Sequence, residues 1–161
     1  MAEGKILFYQ DTERSVFKFV GEIRHTLCSG FDTALNQSFK KNIKTYIIDL
    51  INAIYLDSTS LGLIAKIARF THLHHYPKPT IFSTNENVNM ILQSMGFDDI
   101  FVIRDANAES IDGLVAVEQR TMNKQETHKM VLEAHKILMD LNEKNKEAFQ
   151  NVVDLLSANN E

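Results

Sequence analysis

Short apolar runs alternate with stretches of helical periodicity along the first two thirds of this chain. Ile6, Leu7, Phe8 and Tyr9 fill the run Lys5–Gln10, and Val16, Phe17, Phe19 and Val20 fill the run Ser15–Val20. The polar Asp11-Thr12-Glu13-Arg14 between them is turn-like, so the two runs predict an antiparallel hairpin, with Gly21 marking its end. From Ser29 to Lys41 the positions Phe31, Ala34, Leu35, Ser38 and Phe39 share one helical stripe. Tyr46–Ile51 is β-branched and apolar and reads as a buried strand. Leu61, Ile64, Ala65 and Ala68 then recur at helical spacing, which predicts a helix over roughly Ser60–His75, broken by Pro77-Lys78-Pro79. Thr80–Ser83 is a short strand. Thr84 or Asn85 caps a helix carrying Val88, Ile91, Leu92 and Met95 that Gly96 ends, and Ile100–Ile103 is the last strand. The order β-β-α-β-α-β-α-β implies an α/β fold in which right-handed crossovers build a mixed, mainly parallel β-sheet with helices packed on it.

From Ala106 the composition shifts. Leu114–Leu156 holds neither proline nor glycine and reads as helical throughout. Val131, Ala134, Leu138, Leu141, Asn145, Ala148, Val152 and Leu155 step alternately by three and four, the seam of a heptad repeat with one polar member. Ile137, Phe149, Val153 and Leu156 widen that face, so packing back on the domain is as consistent with the pattern as a coiled coil. The expected organisation is a domain over residues 1–112 and a helical extension over 113–161, available for self-association or for a partner.

Composition narrows the function classes. With 44% hydrophobic and 24% charged residues in 161, the chain is an ordinary globular one with room for a core. A net charge of −4 gives nucleic acid no footprint to bind. No apolar run is long enough to cross a bilayer, and Met1–Lys5 has no signal-peptide character. The single Cys28 rules out an internal disulfide framework and suits a reducing cytoplasm.

The candidate chemistry sits where the Tyr46–Ile51 strand gives way to the following helix, at Asp57-Ser58-Thr59-Ser60-Leu61-Gly62. Read from the residues alone, Asp57 and Ser58 are helix caps, and the helix N-terminus favours negative charge. The same six residues resemble the signature of the STAS domain of bacterial anti-sigma factor antagonists, Asp-Ser-Ser/Thr-Gly-Leu-Gly, with Ser60 in place of the first glycine. Met95-Gly96-Phe97-Asp98-Asp99-Ile100-Phe101 resembles the family's turn into its last strand, and the likeness spans about residues 5–112. The resemblance implies a phosphorylation-controlled partner switch and no catalytic site or cofactor. Ser58 would be the phosphoacceptor, and Thr59 a lesser candidate. Asp57, Ser58, Thr59, Ser60, Leu61 and Gly62 would meet the partner. It implies an anti-sigma factor, often itself the serine kinase, bound when Ser58 is bare and released when it is phosphorylated. A metal-dependent serine phosphatase would reset the switch. A scaffold within a signalling assembly and a ligand- or lipid-handling role are the alternatives that STAS domains also allow.

Other candidates carry weaker signals. His72 and His75 share a helix face near His74 but have no Cys or carboxylate at ligand spacing, so no metal site is expected. His128 and His135 lie a heptad apart on the extension without a phosphotransfer motif. Cys28 near Arg24 and His25 would react only as a thiolate. Asp49 and Asp57, as paired carboxylates, lack any accompanying phosphate loop or catalytic triad pattern.

Overall fold

In the computed structural model, which describes residues 4–159, Lys5–Gln10 (β1) and Arg14–Ile23 (β2) form the expected antiparallel hairpin, with Phe8 opposite Phe17. The reading of the N-terminus at Met1–Glu3 lies outside the described residues, as do residues 160–161. The Asp11 carboxylate builds the turn by accepting from the backbone N–H groups of Glu13 and Arg14 at 2.8 and 2.9 Å. Those two hydrogen bonds hold its acid form below the usual carboxylate range. Gly21 does not end β2. Its φ of 79° absorbs an irregularity in the pairing with the next strand, and β2 runs on to Ile23.

Cys28–Phe39 (α1) carries the chain to Thr45–Leu56 (β3), which is parallel to β2 and longer than the apolar run alone indicates. Ser58–Leu73 (α2), Thr80–Phe82 (β4), Glu86–Ser94 (α3) and Val102–Arg104 (β5) follow. Asn85 is the cap of α3, accepting from the N–H groups of Asn87 and Val88. Strand β5 starts two residues later than the apolar run suggests. Phe97–Asp99 winds into a single 3₁₀ turn whose Phe97 carbonyl takes the N–H groups of Ile100 and Phe101, leaving them unavailable to the sheet.

The sheet order is β5-β4-β3-β2-β1, and β2 to β5 are mutually parallel. Successive strands step in one direction, so right-handed crossovers place α1, α2 and α3 on the same face. The core lies between that face and the helices. Phe31 of α1 meets Phe17 and Phe19 edge-on at 5.1 and 5.0 Å between ring centres, and Leu35, Ile48, Leu50, Ile64 and Ile81 close around them without solvent exposure. The opposite face is left to Arg14, Val16, Lys18, Ile47, Asp49 and Ile51, where residues 107–111 cross to form a groove of about 540 Å³.

The extension differs from a continuous helix. Val115–Ala116 (β6) adds a sixth strand beside β1, so sheet pairing continues past residue 113. The free edge of β1 offers unpaired backbone groups, and the Val117 N–H donates to the Ile6 carbonyl at 2.9 Å. Helix begins only at Lys124–Met139 (α4), opened by a reciprocal capping box between Asn123 and Glu126. It stops at Asp140, and Asn142 caps a second helix, Glu143–Ala158 (α5), by accepting from the Asn145 N–H. The two helices run antiparallel, with the His128 ring donating through Nε2 to the Leu156 carbonyl at 2.6 Å. The heptad seam is therefore folded in two. Leu138 is wholly buried while Leu155 is 66% exposed. Asn145, the polar member of the seam, is buried and donates from one amide nitrogen to the carbonyls of Leu138 (3.0 Å) and Met95 (2.9 Å). It fixes the hairpin's turn against the end of α3.

Candidate functional site

Strands β2 and β3 end side by side, and the Asp57 N–H bonds to the Ile23 carbonyl at 3.1 Å. This is the carboxyl end of the parallel strands, where α/β sheets leave a crevice for binding. Asp57 has extended backbone angles and caps α2. One of its oxygens accepts from the Ser60 N–H (2.9 Å) and the Ser60 hydroxyl (2.7 Å), and the other from the His25 N–H (2.6 Å). A single carboxylate thus ties the start of α2 to the end of β2. Ser60 lies within the first turn of α2 and is not among the residues with positive φ. A serine therefore serves at the position where the signature has glycine, and its buried hydroxyl gives Asp57 a hydrogen bond that glycine would not.

Of the six candidate residues, Asp57 and Ser58 are half-buried, and Thr59, Ser60, Leu61 and Gly62 are buried. The helix behind them is enclosed on every side from Leu61 to Ala68. Its inner face meets the sheet and its outer face meets α4. A Cβ built on Gly62 would lie 2.7 Å from the Ala134 methyl and closer still to the Ala134 carbonyl oxygen. Glycine here permits the approach of a neighbouring backbone. Lys66, the one charge in this stretch, is buried between Asp32 of α1 at 2.9 Å and Glu133 of α4 at 2.7 Å.

The contact that the sequence did not reveal is at Ser58 itself. Its hydroxyl oxygen is 2.8 Å from His135 Nε2. His135 Nδ1 is 2.7 Å from the Val131 carbonyl, which can only accept, so the proton of the neutral ring sits on Nδ1. Nε2 is then the acceptor and Ser58 the donor. The His135 ring is 6% exposed and packs edge-on against Phe149 of α5. Exposed groups precede Ser58 near the end of β3. Ile54 is 56% exposed, and the Arg24 guanidinium sits 4.7 Å over the half-exposed Tyr55 ring.

The remaining candidates separate. Asp49 lies on the open face of the sheet, near Lys18 at 4.0 Å, and about 25 Å of strand divides it from Asp57. His72, His74 and His75 are exposed, with His74 bonded to the Phe70 carbonyl, and among the described residues no three His, Cys, Asp or Glu side chains converge on a metal position. Arg24 points to Glu22 and Tyr55, away from Cys28, and burial pushes the Cys28 thiol up to about 12 against a small opposing effect of the Ser60 hydroxyl. At pH 8 that lift cuts the thiolate population roughly a thousandfold. Iodoacetamide is expected to label Cys28 rapidly in urea and very slowly in buffer; equal rates would contradict the burial.

A family model described as "STAS domain" matches residues 5–110, and the chain belongs to that family. No curated protein matches. Several solved structures share the fold, three of them as follows. The anti-sigma factor antagonist SpoIIAA in its unphosphorylated form has a TM-score of 0.55 at 15% identity over 62% of this chain and 87% of its own. An anti-sigma factor antagonist from Mycobacterium paratuberculosis has 0.53 at 18% identity over 65% and 87%. The Bacillus cell fate determinant SpoIIAA in the phosphorylated form has 0.53 at 14% identity over 62% and 90%. The α4–α5 hairpin lies beyond the matched domain. No helix among the described residues is long and apolar enough to cross a membrane.

Proposed function

We propose that this chain is an anti-sigma factor antagonist that works as a partner switch, binding an anti-sigma factor while Ser58 is bare and releasing it when Ser58 is phosphorylated. The observation that carries the reading is the placement of Ser58. It is the first residue of α2, directly after a carboxylate cap, at the carboxyl end of the parallel strands of a STAS domain. The likeness to antagonists solved in bare and phosphorylated forms supports it. Phosphate adds about −1.5 to −2 charge and three acceptor oxygens at pH 7. A partner that meets Ile54, Tyr55, Arg24 and a neutral Ser58 hydroxyl would have to desolvate that charge beside Asp57. In this reading the protein is a substrate and binder, acted on by a serine kinase and a metal-dependent serine phosphatase, and Asp57 shapes the turn. We also propose that residues 1–112 carry the switch and the part from 113 adds to it.

Intact mass gives the first test. A population heavier by one phosphate in the native protein, absent from Ser58→Ala, is the expected result; phosphate retained in Ser58→Ala would place the acceptor elsewhere. The groove on the open face of the sheet favours a second reading, small-molecule handling, and a ligand retained in native mass spectrometry would point to it.

A further inference from the structure

We infer that His135 is the binding partner of the Ser58 phosphate: on phosphorylation its imidazole takes a proton at Nε2 and pairs with the phosphoserine, while the α4–α5 hairpin stays docked. The inference rests on Ser58 being the phosphoacceptor. In the bare chain the ring donates from Nδ1 to the Val131 carbonyl and accepts at Nε2 from the Ser58 hydroxyl, 2.8 Å away. The serine kinase of that reading forms the Oγ–P bond and breaks the terminal P–O bond of a nucleoside triphosphate. The hydroxyl gives up its proton, and Nε2 is the acceptor already holding it. The ester bond then confines the terminal phosphate oxygens to within a few ångströms of Nε2. Ser58 is only half-buried, so its open side has room for them. With both nitrogens protonated, the imidazolium keeps its bond to Val131 and donates to the phosphate. Opposite charges at such range favour each other's charged form, and the burial of the ring limits screening by water.

The other groups around the ring leave it this role. Helix α2 presents Ser58 and, one residue before it, the Asp57 carboxylate, whose oxygens are taken by Ser60 and the His25 N–H. The exposed His25 ring lies 3.8 Å from that carboxylate. Helix α5 presents the Phe149 ring, and α4 itself the Val131 carbonyl. Among the described residues no carboxylate is ion-paired with His135. Buried Met130, Ala134, Ile137 and Leu138 seat α4 whether or not Ser58 is modified, and the phosphate adds one tie. One imidazolium against a dianion leaves a negative charge for an anti-sigma factor to meet. The matched family domain ends at residue 110, so this phosphate ligand is an addition of this chain to the switch.

The full-length chain with phosphoserine incorporated at position 58 tests this with no kinase or partner present. The test can therefore fail while anti-sigma binding still depends on Ser58, and succeed where native chains carry their phosphate elsewhere. At pH 7, nitrogen NMR of the imidazoles is expected to show His135 protonated on Nδ1 alone in the bare chain and on both nitrogens in the phosphorylated chain. Phosphorus NMR titration should place the second ionisation of the phosphate at least about one pH unit lower than in phosphorylated His135→Gln, about tenfold in its acid constant. An Nε2 without a proton in the phosphorylated chain at pH 7 overturns the inference. So does a phosphate that ionises at the same pH with and without the imidazole. The nitrogen spectra use the unsubstituted chain and decide the matter even where His135→Gln does not fold.

Discussion

Leu138→Asp is expected to cost the folded chain about 4 kcal/mol or more, whereas Leu155→Asp costs within about 0.5 kcal/mol. Both leucines sit on the same heptad seam in the sequence. Leu138 has no exposed surface and belongs to the core formed with α2, and Leu155 is two-thirds exposed on α5. Truncating a buried leucine alone costs about 2–5 kcal/mol, and a carboxylate in its place adds the desolvation of a charge with no partner. Urea denaturation of the two single variants reads the contrast directly. A free coiled coil using the whole seam would give similar losses at both positions, and that result would contradict the folded-back hairpin.

Asp57→Ala is expected to cost about 2 kcal/mol. The substitution removes a helix cap, typically worth about 1 kcal/mol. It also takes its 2.7 Å acceptor from the buried Ser60 hydroxyl, a loss of about 1 kcal/mol or more, while the exposed His25 N–H turns to water. Asp57→Asn should fall between wild type and alanine. Its amide oxygen still serves Ser60, while its amide nitrogen meets the His25 N–H donor to donor. Thermal melts of the three chains give the order, and a melting temperature for Asp57→Ala equal to wild type would mean that the carboxylate is not what joins β2 to α2.

The order of elements through β5 was readable because each rests on local chemistry: β-branched runs for the strands, Asp57 and Asn85 for the helix starts, Gly96 for the end of α3. The serine motif was readable for the same reason. What lay beyond the sequence depended on contacts across long separations. Strand β6 is two residues long and exists because the edge of β1 is free to pair. The break between α4 and α5 uses no glycine or proline, only the side chain of Asn142 competing with the helix for the Asn145 N–H. Docking of α4 over Ser58 left one local trace. Leu61, Ile64, Ala65 and Ala68 already make a face for the sheet, yet Leu63 and Ile67 add apolar positions outside that stripe, and all six are buried. A helix apolar all round needs cover on both sides. That surplus marks α2 as a buried helix, and identifying α4 as its cover required the fold.

The central claim is that a phosphate on Ser58 controls a partner without unfolding the domain. Calorimetric titration of a purified anti-sigma factor from the same organism into bare and Ser58-phosphorylated full-length chain tests it most directly, with sheet integrity followed by circular dichroism. The account predicts at least about thirtyfold weaker binding of the phosphorylated chain, the low end for burying an unpaired charge at an interface, with β-sheet signal unchanged. Equal affinity of the two forms for an anti-sigma factor that binds the bare chain would contradict it.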